Sequence, residues 1–269
     1  MYKELINYAT KEYPFLIKHV DIRYIPHFHE EAEIVYVLDG ELIITLGTNN
    51  RIAKKGDICI IPPRIIHNLY TENHSETFVM KLYPIADMNN IYLENNIFST
   101  SDISCRKLLR YITDIMKEDE HKKSHYDLAV NINIQKIFLW ILRETEYQTY
   151  DSRIRLKHIH ENNFLDAVNT YLELHFLEDI GLYDIANHFS YTKSYFCRYF
   201  KSITGVTLGE YFTMFRLEKA IGCINSSPKE NIISIAGKSG FANVRSFNDA
   251  FKKYYHCTPR EYRKLAQNM

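Results

Sequence analysis

The chain has 269 residues, no formal net charge and 46% hydrophobic residues, enough for one large or two ordinary packed domains. No apolar run approaches the length of a membrane span, and the start Met1-Tyr2-Lys3-Glu4 lacks a signal-peptide core, so a cytoplasmic protein without membrane partners is expected. The five cysteines (Cys59, Cys105, Cys197, Cys223 and Cys257) never form a Cys-x-x-Cys, which argues against a disulfide framework.

Residues 1–25 begin with an amphipathic stretch and continue into Phe15-Leu16-Ile17-Lys18, a first strand. From Ile22 to Met80 the chain reads as all-β, with strands at Glu33–Leu38, Glu41–Leu46, Asp57–Ile61 and Thr77–Leu82. Turn signals stand at Asp39-Gly40, Gly47-Thr48-Asn49-Asn50, Lys55-Gly56 and Pro62-Pro63-Arg64. Asp-Gly between two alternating apolar runs predicts a hairpin. Short strands at this spacing predict a small barrel or jelly roll.

Within this region His27-x-His29, Glu33 and Gly40, followed by Gly56, Pro62 and His67, resemble the two motifs of the cupin family. Arg64 stands where the second motif usually has Gly. His27 and His29 share one face by the period of two along a strand, and Glu33 and His67 approach from neighbouring strands. Three His and one carboxylate suit iron, manganese, nickel or zinc. The resemblance implies that His27, His29, Glu33 and His67 bind a divalent metal, as that set does in enzymatic cupins. Arg23, Tyr24, Tyr36 and Arg64 are placed at the mouth of the same pocket, whose polar groups suit a sugar or small organic acid.

Pro84 is expected to end the barrel, and residues 85–100 read as an Asn-rich loop. Cys105, Leu108, Leu109, Ile112, Ile115 and Met116 then form the stripe of an amphipathic helix. Glu118 to Ser124 reads as a solvated connection. A second helix runs from Tyr126 to Glu146, with apolar residues nearly all the way round, Leu128, Ile132, Ile137, Leu139 and Trp140 among them. Such a helix is buried on every side. The barrel covers one face, and a second subunit is expected on the other, giving a homodimer. Tyr147 to Asn163 is polar and reads as an interdomain linker. Phe164 to Phe176 opens a helical domain.

Between Gly181 and Tyr262 one unit is written twice. Ile185-Ala186, Ser190, Phe196, Phe200-Lys201, Gly205, Thr207 and Glu210-Tyr211 recur as Ile235-Ala236, Gly240, Phe247, Phe251-Lys252, His256, Thr258 and Glu261-Tyr262. The offset is 50 residues up to Ser190/Gly240 and 51 beyond it. Each copy reads as two short helices around a turn, with Thr192 and Asn243 as caps of the second helices. The core faces are Tyr195, Phe196, Tyr199 and Phe200 in the first copy, and Phe247, Ala250 and Phe251 in the second. A helix over Leu208–Asn225 joins the copies and spans about 27 Å, on the order of one DNA turn. The outward residues are Lys193, Ser194, Cys197, Arg198 and Lys201 in the first copy and Val244, Arg245, Asn248, Asp249 and Lys252 in the second. Arg, Asn and Lys suit base edges and phosphates. Residues 181–269 hold 13 Lys and Arg against 6 Asp and Glu, whereas residues 1–100 hold 9 against 13, so the neutral total hides a basic end.

The runs Gly240-Phe241-Ala242-Asn243, Phe247-x-x-x-Phe251-Lys252-Lys253 and Thr258-Pro259-x-x-Tyr262-Arg263 resemble the signature of the AraC/XylS transcription regulators, whose sensor domain is also a cupin. Two residues depart from it: His256 replaces a usual Gly, and Asp249 replaces a usual basic residue. The resemblance implies an α+β plan: a cupin barrel over 1–84, a helical dimerisation region over 85–147, a linker over 148–163 and an all-α double helix-turn-helix domain over 164–269. It also implies that the barrel binds a small effector through Arg23, Tyr24, His27, His29, Glu33, Tyr36, Arg64 and His67, with no cofactor required, and that the basic end binds double-stranded DNA. Two alternatives stay open: a metal-dependent cupin enzyme, of isomerase or dioxygenase type, fused to a DNA-binding domain, and a DNA-binding protein with a vestigial barrel.

Overall fold

The structure is a computed structural model, and it describes residues 14–267 apart from 86, 87, 89 and 228. The amphipathic stretch expected before Phe15 lies mostly outside these residues. The chain divides into two compact units, residues 1–162 and 163–269.

The first unit is built on antiparallel strands: β1 (Phe15–Val20), β2 (Ala32–Leu46), β3 (Asn49–Lys54), β4 (Asp57–Ile61), β5 (His67–Tyr70), β6 (Ser75–Leu82), β7 (Ile91–Leu93) and β8 (Ile97–Ser99). The sheet order is β1-β6-β2-β4-β8, with β3 and β5 both paired to β2. The hairpin predicted at Asp39-Gly40 does not form. Instead β2 runs through it as one 15-residue strand, with its register against β6 slipping between Val37 and Asp39. Its first part pairs with β6 and β4, and its second part with β3 and β5. Gly40 has φ +74°, and a Cβ there would collide with the His74 carbonyl. The glycine thus serves a bulge that lets the strand change partners. The true hairpin turn is Gly47-Thr48, which pairs Leu46 with Asn49.

Side chains alternate along these strands. Val35, Val37, Cys59, Ile61 and Val79 point into the barrel with Ile22, Leu42, Ile44 and Leu69. Ala32, Ile34, Ile58, Ile60, Phe78, Met80 and Leu82 form the opposite face. That face packs on α1 (Arg106–His121) through Leu108, Ile112 and Ile115, and on α2 (Tyr126–Glu144) through Val130, Ile134, Ile137, Phe138, Trp140 and Ile141. Both helices match the expected stripes, although α1 continues to His121, three residues past the point where a solvated connection was expected. Pro84 does not end the sheet. β8 returns to pair with β4, and β7 pairs with β9 (Tyr147–Thr149). Segment 85–100 therefore holds two strands, too short and too Asn-rich for periodicity to reveal.

The expectation that α2 is covered on all sides holds only in part. Leu128, Ile132 and Leu139 are 59%, 46% and 45% exposed and share one side of the helix. Residues 152–162, expected as linker, are helical and belong to α3 (Ser152–His175); the division between the two units falls within this helix.

The second unit contains α4 (Leu182–His188), α5 (Lys193–Thr204), α6 (Leu208–Ser226), α7 (Ile232–Lys238), α8 (Val244–Tyr255) and α9 (Pro259–Gln267). The written duplication is a structural one. Ala186 and Ala236 are buried where the short helices meet the longer ones. Ser190 and Gly240 carry φ +59° and +82°, and Gly205 and His256 carry φ +77° and +54°. Each copy thus places one glycine and one ordinary residue in its two left-handed positions. Thr207–Glu210 and Thr258–Glu261 start α6 and α9 with the same reciprocal cap. One expected core residue is not in the core: Tyr195 is 46% exposed. It stacks on Tyr199 along the surface of α5.

Candidate functional site

Four of the expected barrel residues converge. The backbones of His27 and His67 exchange hydrogen bonds of 2.9 and 2.8 Å, which fixes the two rings side by side with centroids 4.5 Å apart. His29 follows by the period of two, and Glu33 stands on β2. His29 Nε2 and His67 Nε2 each lie 2.9 Å from the same oxygen, Glu33 Oε2. One donor atom from each of the four residues can be chosen so that all lie within 4.8 Å of one another.

The other ring nitrogens settle what these contacts are. His27 Nδ1–H donates to the Ile25 carbonyl (2.8 Å), His29 Nδ1–H to the Glu31 carbonyl (3.0 Å) and His67 Nδ1–H to the Ile65 carbonyl (2.7 Å). A neutral imidazole has one N–H, so each Nε2 then presents a lone pair. Burial holds His29 down to about 4 and His27 well below its ordinary value, so both are neutral at pH 7. Burial pushes the Glu33 carboxyl upward, and hydrogen bonds from His29 and His67, which need a proton on those Nε2 atoms, pull it well below the usual carboxylate range. Glu33 is fully buried, and its Oε1 has no hydrogen-bond partner. With the Nδ1–H groups of the three rings committed to carbonyls, Glu33 Oε2 and the Nε2 atoms of His29 and His67 have no proton of their own to share. A shared proton or a cation must lie between them. Backbone carbonyls that fix the tautomer of three rings are the arrangement that orients histidines toward a metal.

The remaining expected barrel residues do not all join this cluster. Tyr24 stands edge-on to His27 and shares a 2.7 Å hydrogen bond with His19. Arg23 pairs with Tyr70 across the strands. Arg64 occupies φ +64°, the conformation for which the motif usually uses Gly. Its amide donates to the His29 carbonyl, but its guanidinium is held at the surface by Glu30. Tyr36 has the opposite parity to Glu33 on β2 and packs on the helix-facing core, so it does not line the barrel interior. Sequence reasoning missed His19, Glu31 and Lys81, which also sit around the cluster.

In the second unit the ten outward residues on α5 and α8 are accessible. Lys193, Ser194, Arg198, Lys201, Arg245, Asp249 and Lys252 are exposed, and Cys197, Val244 and Asn248 are half-buried. Thr192 Oγ1 accepts from Tyr195 N, and Asn243 Oδ1 from Ser246 N, so each of the two helices starts on the expected cap. Among the described residues none of the cations Lys193, Arg198, Lys201, Arg245 and Lys252 is held in an ion pair. Arg198 Nε donates only to the Ser194 carbonyl of its own helix. Their charge is uncommitted, as a phosphate-binding surface requires.

Comparison with known proteins matches a domain family to each of the two regions. A helix-turn-helix domain family matches residues 185–265, and a cupin domain family matches residues 21–85. The HTH-type transcriptional regulator YdeC of Bacillus subtilis is 22% identical over 98% of this chain and 96% of its own length. The transposon Tn10 TetD protein of Escherichia coli is 34% identical over 47% of this chain and 93% of its own length. ToxT from Vibrio cholerae superimposes with a TM-score of 0.52 at 13% identity, over 93% of this chain and 98% of that one, which shows a common fold. ToxT has also been solved with an unsaturated fatty acid bound. No described helix is long and apolar enough to cross a membrane.

Proposed function

The chain belongs to the AraC-type family of helix-turn-helix transcription regulators, and from that premise we propose that it is a cytoplasmic homodimer in which a ligand of the barrel controls DNA binding. In this reading the barrel, residues 1–84 with β8 added, senses a sugar or other small metabolite. The helices of residues 85–147 dimerise through the exposed side of α2, and residues 164–269 bind duplex DNA. On α5, Arg198 would read a base edge, with Lys193, Ser194, Cys197 and Lys201 beside it. On α8 the same part falls to Arg245, with Val244, Asn248, Asp249 and Lys252. Asp249 cannot face a phosphate favourably, and it suits a cytosine amino group or a contact with Arg245.

The observation that carries the sensing half is the buried set of lone pairs in the barrel. His27, His29, Glu33 and His67 fit a divalent transition ion in donor type, tautomer and charge. When bound, such an ion supplies a Lewis-acidic point to which a small ligand can attach. The three rings and the carboxylate fix its place and keep it dry. Differential affinity of that ligand for two arrangements of the dimer would shift DNA affinity.

Protein purified without chelator should carry about one equivalent of a transition metal per chain. Its affinity for a DNA sequence selected from a random pool should change when chelator removes the ion. Metal-free protein that takes up no iron, manganese, nickel or zinc under anaerobic conditions would reject the cation.

A further inference from the structure

The duplicated unit supplies its own control. Thr192 and Asn243 cap α5 and α8, so Tyr191, Tyr195 and Tyr199 of the first copy correspond to Ala242, Ser246 and Ala250 of the second. The second copy forms its helix with these three small residues, and buries Phe247 and Phe251 where the first buries Phe196 and Phe200. The three tyrosines are therefore not what this helix needs in order to pack.

They form one continuous ladder. Ring centroids are 5.1 Å apart from Tyr191 to Tyr195 and 5.9 Å from Tyr195 to Tyr199, the second pair nearly parallel at 17°. The ladder is tied to the core by Phe164, which is 8% exposed and stands edge-on to Tyr199 at 4.8 Å. The middle ring, Tyr195, remains 46% exposed. Held between two neighbours, it has little rotamer freedom left to lose when a partner arrives.

The partner follows from its place on α5. The buried side of that helix carries Phe196, Phe200, Ile203 and Thr204. Arg198 stands opposite, with Ser194 and Lys201 on one flank and Tyr195, three residues before it, on the other. Tyr195 is the third residue of α5, and the N-terminal residues of a recognition helix are those that meet base edges in the major groove. The apolar feature of that groove is the C5-methyl of thymine, which no other base presents.

Resting on the DNA-binding reading above, we propose that Tyr195 is a specificity residue whose ring packs on a thymine methyl beside the base that Arg198 contacts. The ladder fixes where that ring sits. Ser246 offers no such surface, so the two heads read their half-sites by different chemistry.

The test uses the full chain and the sequence it selects from random DNA. Each thymine is replaced in turn by deoxyuridine, which keeps the hydrogen-bonding groups and lacks only the methyl. Wild-type affinity should fall about fourfold at the position Tyr195 reads. Tyr195→Ser, which copies the second head, should bind thymine and deoxyuridine equally at that position, whereas Tyr195→Phe should keep the difference. Tyr195→Gln serves the same purpose if the serine variant does not fold. A wild type indifferent to every deoxyuridine overturns the proposal, and so does a methyl effect that survives at every position when the ring is removed. Unchanged DNA binding without the ring also overturns it, and points to a protein partner for the ladder. Failure to bind any sequence removes the DNA-binding reading and this proposal together. Binding without a methyl effect removes this proposal alone.

Discussion

Replacing Glu33 by Gln separates the acceptor cluster's two possible occupants, a proton and a metal, by the sign of the effect. In the metal-free chain Glu33 Oε2 lies 2.9 Å from Nε2 of both His29 and His67, rings whose Nδ1–H groups are committed to carbonyls. An amide nitrogen at that place carries two protons, one for each ring. Satisfying buried acceptors in this way is worth about 1–3 kcal/mol, so Glu33→Gln should be more stable than the wild type in chelator. With metal present the order should invert. The wild type gains about 4 kcal/mol at a free metal concentration a thousand times Kd, while the amide lacks the anionic donor and gains far less. Urea denaturation of both proteins, with and without chelator, reads the four values. The reasoning fails if Glu33→Gln is the less stable protein in chelator by more than about 1 kcal/mol, or if metal raises both by the same amount.

Four further outcomes follow from the same geometry. In chelator, stability should fall as pH drops from about 6.5 toward about 4, because the unfolded chain binds a proton that buried His29 refuses; this ring contributes on the order of 3 kcal/mol, and His27 acts in the same direction. Gly240→Ala should cost about 2–4 kcal/mol in thermal denaturation, because a Cβ collides with the Phe176 carbonyl, whereas Ser190→Gly at the equivalent turn should cost nothing or gain up to about 1 kcal/mol. Ile132→Glu should shift sedimentation toward a monomer while far-ultraviolet dichroism is unchanged; a dimer that persists would remove α2 from the interface. Arg198→Ala should weaken binding to the selected DNA by about 1–3 kcal/mol and relax specificity at one position, and an unchanged gel shift would take away its role.

What could be read before folding was whatever local chemistry determines. The caps Thr192 and Asn243, the amphipathic stripe of α1 and the duplicated turns all depend on residues close in sequence, and the structure has them where expected. The convergence of His27, His29, Glu33 and His67 was legible because the spacing of two motifs carried it. The Asp39-Gly40 hairpin was misread because Asp-Gly reports only that the backbone takes a positive φ. Whether the strand then reverses or merely bulges is decided by its partners, β6 on one side and β3 on the other, which are distant in sequence. β3 and β5 were passed over because Asn-Asn-Arg and His-Asn do not alternate in polarity.

Tyr36 was misplaced and Lys81 was not singled out for one shared reason. Alternation identifies the inner face of a strand only when the outer face is wet. Here the outer face of β2 and β6 is covered by α1 and α2, so both faces are apolar and the pattern has no phase. Tyr36 then looks like a pocket residue when it belongs to the helix-facing core. Lys81, between Met80 and Leu82, looks like a chance charge in an apolar run. Only the register against Glu33 assigns its side. A fold that covers both faces of its barrel can turn a lysine inward without announcing it in sequence, because the side it takes is set only when the strands pair.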